Sequence, residues 1–251
     1  MKSSLVGLLW LLSACLVSMP VLAAEFRVAV SENASDIVRV ENGELAGIAA
    51  PIYRCVFAGT GLDFSYVELP LARSLFHLEN GEVAVAMPLA SSPDRDRYGA
   101  FPGNLVDVRY LFLSFRELPP MKEAGDLLYV LPRGHLGARF VESVRTRGIE
   151  VSSWQQVFTM LKLGRADFTI VPQVILPDIL QDLDEPMYTQ PAGSVPASLY
   201  VSRAFLDTGL EQRLAERIDI CRVRFEDEIR QKQRTSGYPE EALQPPDAPE
   251  E

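Results

Sequence analysis

Histidine and cysteine are scarce in this chain of 251 residues, with two of the first and three of the second. The two histidines, His77 and His135, lie far apart, so no metal-ligand spacing exists to build a centre on. No Gly-x-Ser-x-Gly nucleophile turn occurs either, and nothing assembles a credible catalytic set or calls for a cofactor. Positive charge is also short: 24 Lys and Arg against 34 Asp and Glu leave a net charge of −10. A polyanion would be repelled at most of the surface, which argues against nucleic acid as a partner. Low-complexity sequence is missing outside the last few residues. Apolar residues are plentiful at 47%, enough for one large domain or two small ones.

The first 24 residues read as a secretory signal, with Lys2 before an apolar run from Leu5 to Leu12 and small residues at Ala23 and Ala24. Val21-Leu22-Ala23 is the favoured cleavage site. Leu12-Ser13-Ala14-Cys15 offers a second reading, a lipoprotein box that would leave Cys15 acylated, although the residues after it stay apolar. An uncleaved anchor is disfavoured by Pro20 and by the shortness of the run. Each reading puts the body outside the cytoplasm. Cys55 and Cys221 then remain as an even pair in an oxidising compartment, where a bridge is expected; two buried free thiols are the alternative.

From Gly81 to Arg97 a buried strand opens directly into a helix start. Val83, Val85 and Met87 form the strand's apolar core, while Ser92-Pro93-Asp94 supplies an N-cap, a proline at the first helical position and an early acid. Arg95 adds a guanidinium in that turn, a corner suited to a carboxylate. The plainer reading is a simple cap, with Arg95 paired in solvent to Asp94 or Asp96.

The remaining chain alternates strand and helix. Strands are expected at Phe26–Val30 and Asp63–Leu69, with a turn at Asn42-Gly43 and helices over Gly47–Phe57 and Pro70–Glu79. This order implies a mostly parallel sheet with ligand chemistry at its carboxyl edge, where Ser31, Pro88 to Ser92 and Arg95 meet. Arg109–Phe115 reads as a crossing strand. A second unit follows: strand Leu127–Leu131, loop Pro132 to His135, helix Leu136–Arg147, a short strand at Glu150, helix Trp154–Leu163 and strand Asp167–Val171. Two similar lobes are expected instead of one long sheet. Pro186–Pro196 reads as a loop, Ala197–Val201 as a returning strand, and Phe205–Ile220 and Arg222–Gln233 as two helices with Leu206, Leu210, Leu214 and Ile218 on one face. The acidic, proline-rich end from Ser236 reads as disordered.

The Glu68-Leu69-Pro70-Leu71-Ala72-Arg73 helix start, Ser92-Pro93-Asp94-Arg95, Phe101-Pro102 and Gly164-Arg165-Ala166-Asp167 together resemble the periplasmic solute-binding proteins of the amino-acid type, family 3. The resemblance spans roughly Phe26 to Ile229. It implies an α/β, two-lobed periplasmic-binding-protein-like fold with a ligand cleft between the lobes. Residues 25–114 and 197–235 would form the first lobe, 115–196 the second and 236–251 the tail. It implies a monomeric, non-enzymatic protein that hands a small solute to an ABC-type permease, with Arg95 holding a carboxylate beside Ser92. Ser91, Arg73, His135 and Gln173 complete the expected ligand set.

The chain departs from the family where the ligand's amino group would be held. Val171-Pro172-Gln173 stands where an acid is usual, no aromatic occurs in Ser31–Ile37, and Gly134-His135-Leu136 replaces the usual Gly-Thr-Thr. A carboxylate lacking a charged amine, or a degenerate sensor or interaction module of the envelope, follows from these departures. A dehydratase-like enzyme on the same fold is a third reading.

Overall fold

The computed structural model describes residues 25–35, 37–141, 145–176 and 186–236, with side chains placed up to Phe225. The expected signal segment with Cys15 and the tail from 237 lie outside the described residues.

The chain begins with β1 (Phe26–Ser31), a hairpin of β2 (Arg39–Glu41) and β3 (Glu44–Ala46) turned at Asn42-Gly43, and α1 (Ala50–Ala58). Then come β4 (Phe64–Leu69), α2 (Leu71–Glu79), β5 (Val85–Ala90), the single turn α3 (Pro93–Asp96) and β6 (Gly99–Ala100). β1 pairs in parallel with both β4 and β5, as alternating strands and helices require. Their carboxyl ends therefore share one edge.

The second half contains β7 (Val106–Ser114), β8 (Leu127–Pro132), β9 (Thr146–Val151), α4 (Trp154–Lys162), β10 (Thr169–Pro172), β11 (Tyr188–Ser202) and α5 (Leu210–Ser236). The expectation of separate sheets is corrected here. The main sheet runs β10-β7-β11-β5-β1-β4 through both halves, because β11 pairs antiparallel with β7 from Tyr188 to Ala197 and with β5 from Ala197 to Val201. Among the described residues β8 and β9 form a small parallel sheet of their own in this half.

Three further elements differ from expectation. The helix expected over Leu136–Arg147 is a 3-10 helix at Leu136–Val141, and Thr146 already begins β9. Gly137, packed tightly against Ile170 and Leu131, weakens a longer helix, and six register pairs with β8 favour the strand. The expected loop Pro186–Pro196 lies largely in β11. Its prolines are accommodated because the register shifts between Pro191 and Gly193. The two expected C-terminal helices are one, α5, preceded by a 3-10 helix that ends at Gly209 with φ 73°, a left-handed conformation glycine adopts without a Cβ clash.

Packing divides into cores on either side of the sheet. Val28, Val30, Val85 and Leu199 pack against Val56 and Phe57 of α1 and Leu210, Leu214 and Ile218 of α5. Leu206, expected on the same face, lies before α5 and is partly exposed. A disulfide joins Cys55 of α1 to Cys221 of α5 with their Cα atoms 6.0 Å apart, closing a separation of 166 residues; such a link contributes roughly 2–4 kcal/mol. On the opposite face, Leu71 and Leu78 of α2 cover Ala29, Ala86 and Tyr200. β7 sends Tyr110 and Phe112 into one core of the second half and Leu113 into the other, although residues to 114 were expected in the first lobe.

Candidate functional site

The carboxyl ends of β1 and β5 face a cavity of about 90 Å³, closed from the other side by β7, the loop after β8, the start of α4 and the end of β10. Among the described residues Arg95 is its one charged lining residue. Ser92 sits in extended conformation before α3 and its Oγ accepts the Arg95 backbone N–H at 3.4 Å, which fixes where the arginine leaves the chain.

The guanidinium then folds inward, and the residue is only 4% exposed. Nη1 donates to the Ala90 carbonyl at 2.6 Å, and Nη2 donates across the cleft to the Gly134 carbonyl at 3.2 Å. Gly134 has φ 80° and its Cα faces Leu75 and Ala72 of α2 closely, so a side chain there would be strained and crowded. Neither Asp94 nor Asp96 pairs with Arg95. Asp94 bonds the exposed Arg97 at 2.8 Å, and Asp96 accepts from the Tyr200 hydroxyl at 2.8 Å. Among the described residues Arg95 makes no ion pair. Burial lowers its pKa, but a guanidinium stays protonated in proteins.

His135 approaches from the opposite wall. Its Nδ1 accepts the Gly137 backbone N–H at 3.1 Å, so the proton of the neutral ring is on Nε2, which is sealed from solvent and has no partner. Burial first, and the Arg95 charge second, push its pKa down to about 3. Trp154 lies edge-on to this ring at 5.1 Å and Tyr110 at 5.8 Å. Trp154 Nε1 donates to the Asn33 carbonyl at 3.1 Å, a second bond across the cleft, and Ser153 caps α4 to hold it there. Burial raises the Tyr110 hydroxyl to about 12. Ser31 Oγ, on a residue 2% exposed, is a further cavity-lining polar atom without a partner. Buried orphans also occur away from the cavity at Asn104, Ser198 and Arg217. The site is distinguished by three polar groups converging on one space.

Of the residues expected to bind ligand, Arg95 and His135 line this cavity. Ser92 is a helix cap whose backbone N–H donates to the Tyr200 hydroxyl, and the Ser91 carbonyl accepts from Arg139. Arg73 is exposed on α2, and exposed Gln173 lines a neighbouring groove. Tyr110 and Trp154 were not anticipated. The signal for Trp154 was a tryptophan at a capped helix start on the cleft side; for Tyr110 it was the Val108-Tyr110-Phe112 alternation of one strand face. Pro172 does line the cavity, and among the described residues no Asp or Glu does.

No protein-family model matches this chain, and no curated protein matches it in sequence. Solved structures do. A substrate-binding protein of an amino acid ABC transporter superposes with a TM-score of 0.65 at 14% identity, covering 78% of this chain and 92% of that one. Holo ArgBP from T. maritima gives 0.62 at 14%, covering 78% and 89%. An ancestral amino-acid-binding protein, described as a precursor of cyclohexadienyl dehydratase, gives 0.63 at 12%, covering 78% and 88%. At these identities the likeness establishes architecture, and the chain therefore has the two-lobed α/β fold of the periplasmic amino-acid-binding proteins.

Proposed function

We propose that this protein is an extracytoplasmic solute-binding protein that closes over a small carboxylate-bearing solute without a charged amine and passes it to an ABC-type permease. The observation that carries the reading is Arg95, a buried cation in a cavity between the lobes whose partners among the described residues are neutral carbonyls. A desolvated charge left without a counter-ion is costly, and a bound carboxylate would supply one in bidentate geometry. The Nε2–H of His135 adds a neutral donor. Among the described residues an α-ammonium group would meet Pro172 and mostly apolar walls, with no acid in the cavity lining.

The same lining supports a binding role over an enzymatic one. Among the described residues its titratable group besides Arg95 and Tyr110 is His135, which stays neutral through the physiological range. We further propose that the mature chain works as a monomer, that residues 1–24 direct it to the periplasm, and that the lobes are divided near Leu105 and Ala197, where packing changes from one core to the other.

A thermal-shift series on the mature protein tests the reading. A ligand at about a hundredfold over its Kd stabilises the native state by about 2.7 kcal/mol, a clear rise in Tm. Simple carboxylates should give it, and their amides and α-amino acids should not. A shift with α-amino acids alone would overturn the assignment.

A further inference from the structure

The cavity is one end of a longer feature. Ile37, Pro88, Val108, Val174 and Ala197 line both it and a second, larger groove of about 520 Å³. The rest of that groove is largely hydrocarbon, from Ile48, Ile52, Leu105, Val106 and Phe225, with Asp107, Arg109 and Gln173 among its polar members. At its mouth Ile48 is 64%, Val106 53% and Val174 40% exposed. Large aliphatic side chains gathered in water around a concave surface mark a contact region more than a neutral exterior.

Polarity is graded along this feature. The inner end holds one cation and two orphan polar groups among the described residues, and the outer end is mostly apolar. A cavity of about 90 Å³ takes a head group and only a few carbons. We propose that the ligand is an amphiphilic monocarboxylate, its head on Arg95 and the His135 Nε2–H and its hydrocarbon tail crossing the shared aliphatic wall into the groove. The wall is made of side chains, and Val174 is exposed enough to turn aside without opening the core. This inference rests on the carboxylate reading above and adds the tail.

Calorimetric titration of the mature protein with sodium propionate, hexanoate and octanoate, and with octan-1-ol, tests it. Each methylene taken out of water tightens binding about fourfold, so octanoate should bind about a hundredfold or more tighter than propionate. Octan-1-ol, lacking the charge, should bind roughly tenfold or more weaker than octanoate. Ile48→Asp should lower the octanoate-to-propionate ratio about tenfold, since it replaces an aliphatic contact on the tail's path with a charge that the tail would have to desolvate. Phe76→Asp, at an exposed apolar position on α2 outside both spaces, should leave the ratio unchanged. Equal affinities for propionate and octanoate would overturn the tail and leave the carboxylate reading standing. Binding of none of the acids would overturn both. A dimer that Ile48→Asp converts to monomer, with octanoate affinity unaltered, would give the groove to a second copy of the chain and also overturn the proposal.

Discussion

The segment from Ala90 to Arg97 has two sides built in opposite ways. Toward β11 the turn is held by a network of hydrogen bonds. The Tyr200 hydroxyl accepts from the Ser92 N–H at 3.0 Å and donates to Asp96 Oδ1 at 2.8 Å, while Arg203 Nη2 donates to the Asp96 carbonyl at 2.7 Å. Toward the cavity Ser31 Oγ and His135 Nε2 have no partner, and Arg95 reaches only carbonyl oxygens. An unpartnered buried polar group costs about 1–3 kcal/mol. A turn pinned on one side and left with spare donors on the other is preorganised for a ligand that supplies acceptors.

The contrast sets out three expectations, the largest at His135. Its folded pKa is about 3 against an ordinary 6.5, so between those pH values the unfolded chain takes up a proton that the folded chain refuses. Stability from this group is intact above pH 6.5 and falls by up to about 1.4 kcal/mol per unit as pH drops toward 3. At pH 4 the loss is about 3 kcal/mol, and His135→Gln should flatten that part of a urea-unfolding profile against pH. An unchanged slope would mean that the imidazole is solvated.

Next is Tyr200→Phe, on the satisfied side. It removes the acceptor of the Ser92 N–H and should cost about 1–3 kcal/mol in chemical denaturation. Unaltered stability would show that the turn is held by something else. The smallest effect belongs to Ser31→Ala on the cavity side, where an orphan hydroxyl is deleted; stability should stay within about 0.5 kcal/mol or rise. A loss beyond about 1 kcal/mol would give Ser31 a partner in the folded protein and weaken the contrast.

Local signals carried most of the first half. Apolar alternation and cap residues located β1, β4, α2 and β5, and Ser92-Pro93 located the turn that aims Arg95. Long-range pairing was less legible. Pro191 and Pro196 argue against a strand on local grounds, yet β11 forms there because β7 pairs with it from Tyr188 to Ala197, while β5 joins only from Ala197 on and leaves the proline stretch with one partner strand. His135 and Arg95 could be placed on the cleft, since each lies in a loop leaving a strand. Trp154 and Tyr110 could not, because reaching the cavity depends on how two distant elements fold against β1. Ser92 was expected as a ligand group because the family resemblance places a hydroxyl there, and Ser91 was expected with it. The Ser92 N–H instead donates to the Tyr200 hydroxyl and its Oγ accepts the Arg95 N–H, while the Ser91 N–H donates to the Pro196 carbonyl of β11 and the Ser91 carbonyl accepts from Arg139.

Arg95 carries the functional reading, and Arg95→Met keeps most of its length while removing the charge. Calorimetry of the variant with the tightest carboxylate found for the parent protein, alongside its unligated Tm, isolates that charge. Binding should weaken by about 2–5 kcal/mol, from roughly thirtyfold to several thousandfold, while the unligated Tm stays near that of the parent. A variant that binds the acid as tightly as the parent would contradict the carboxylate anchor.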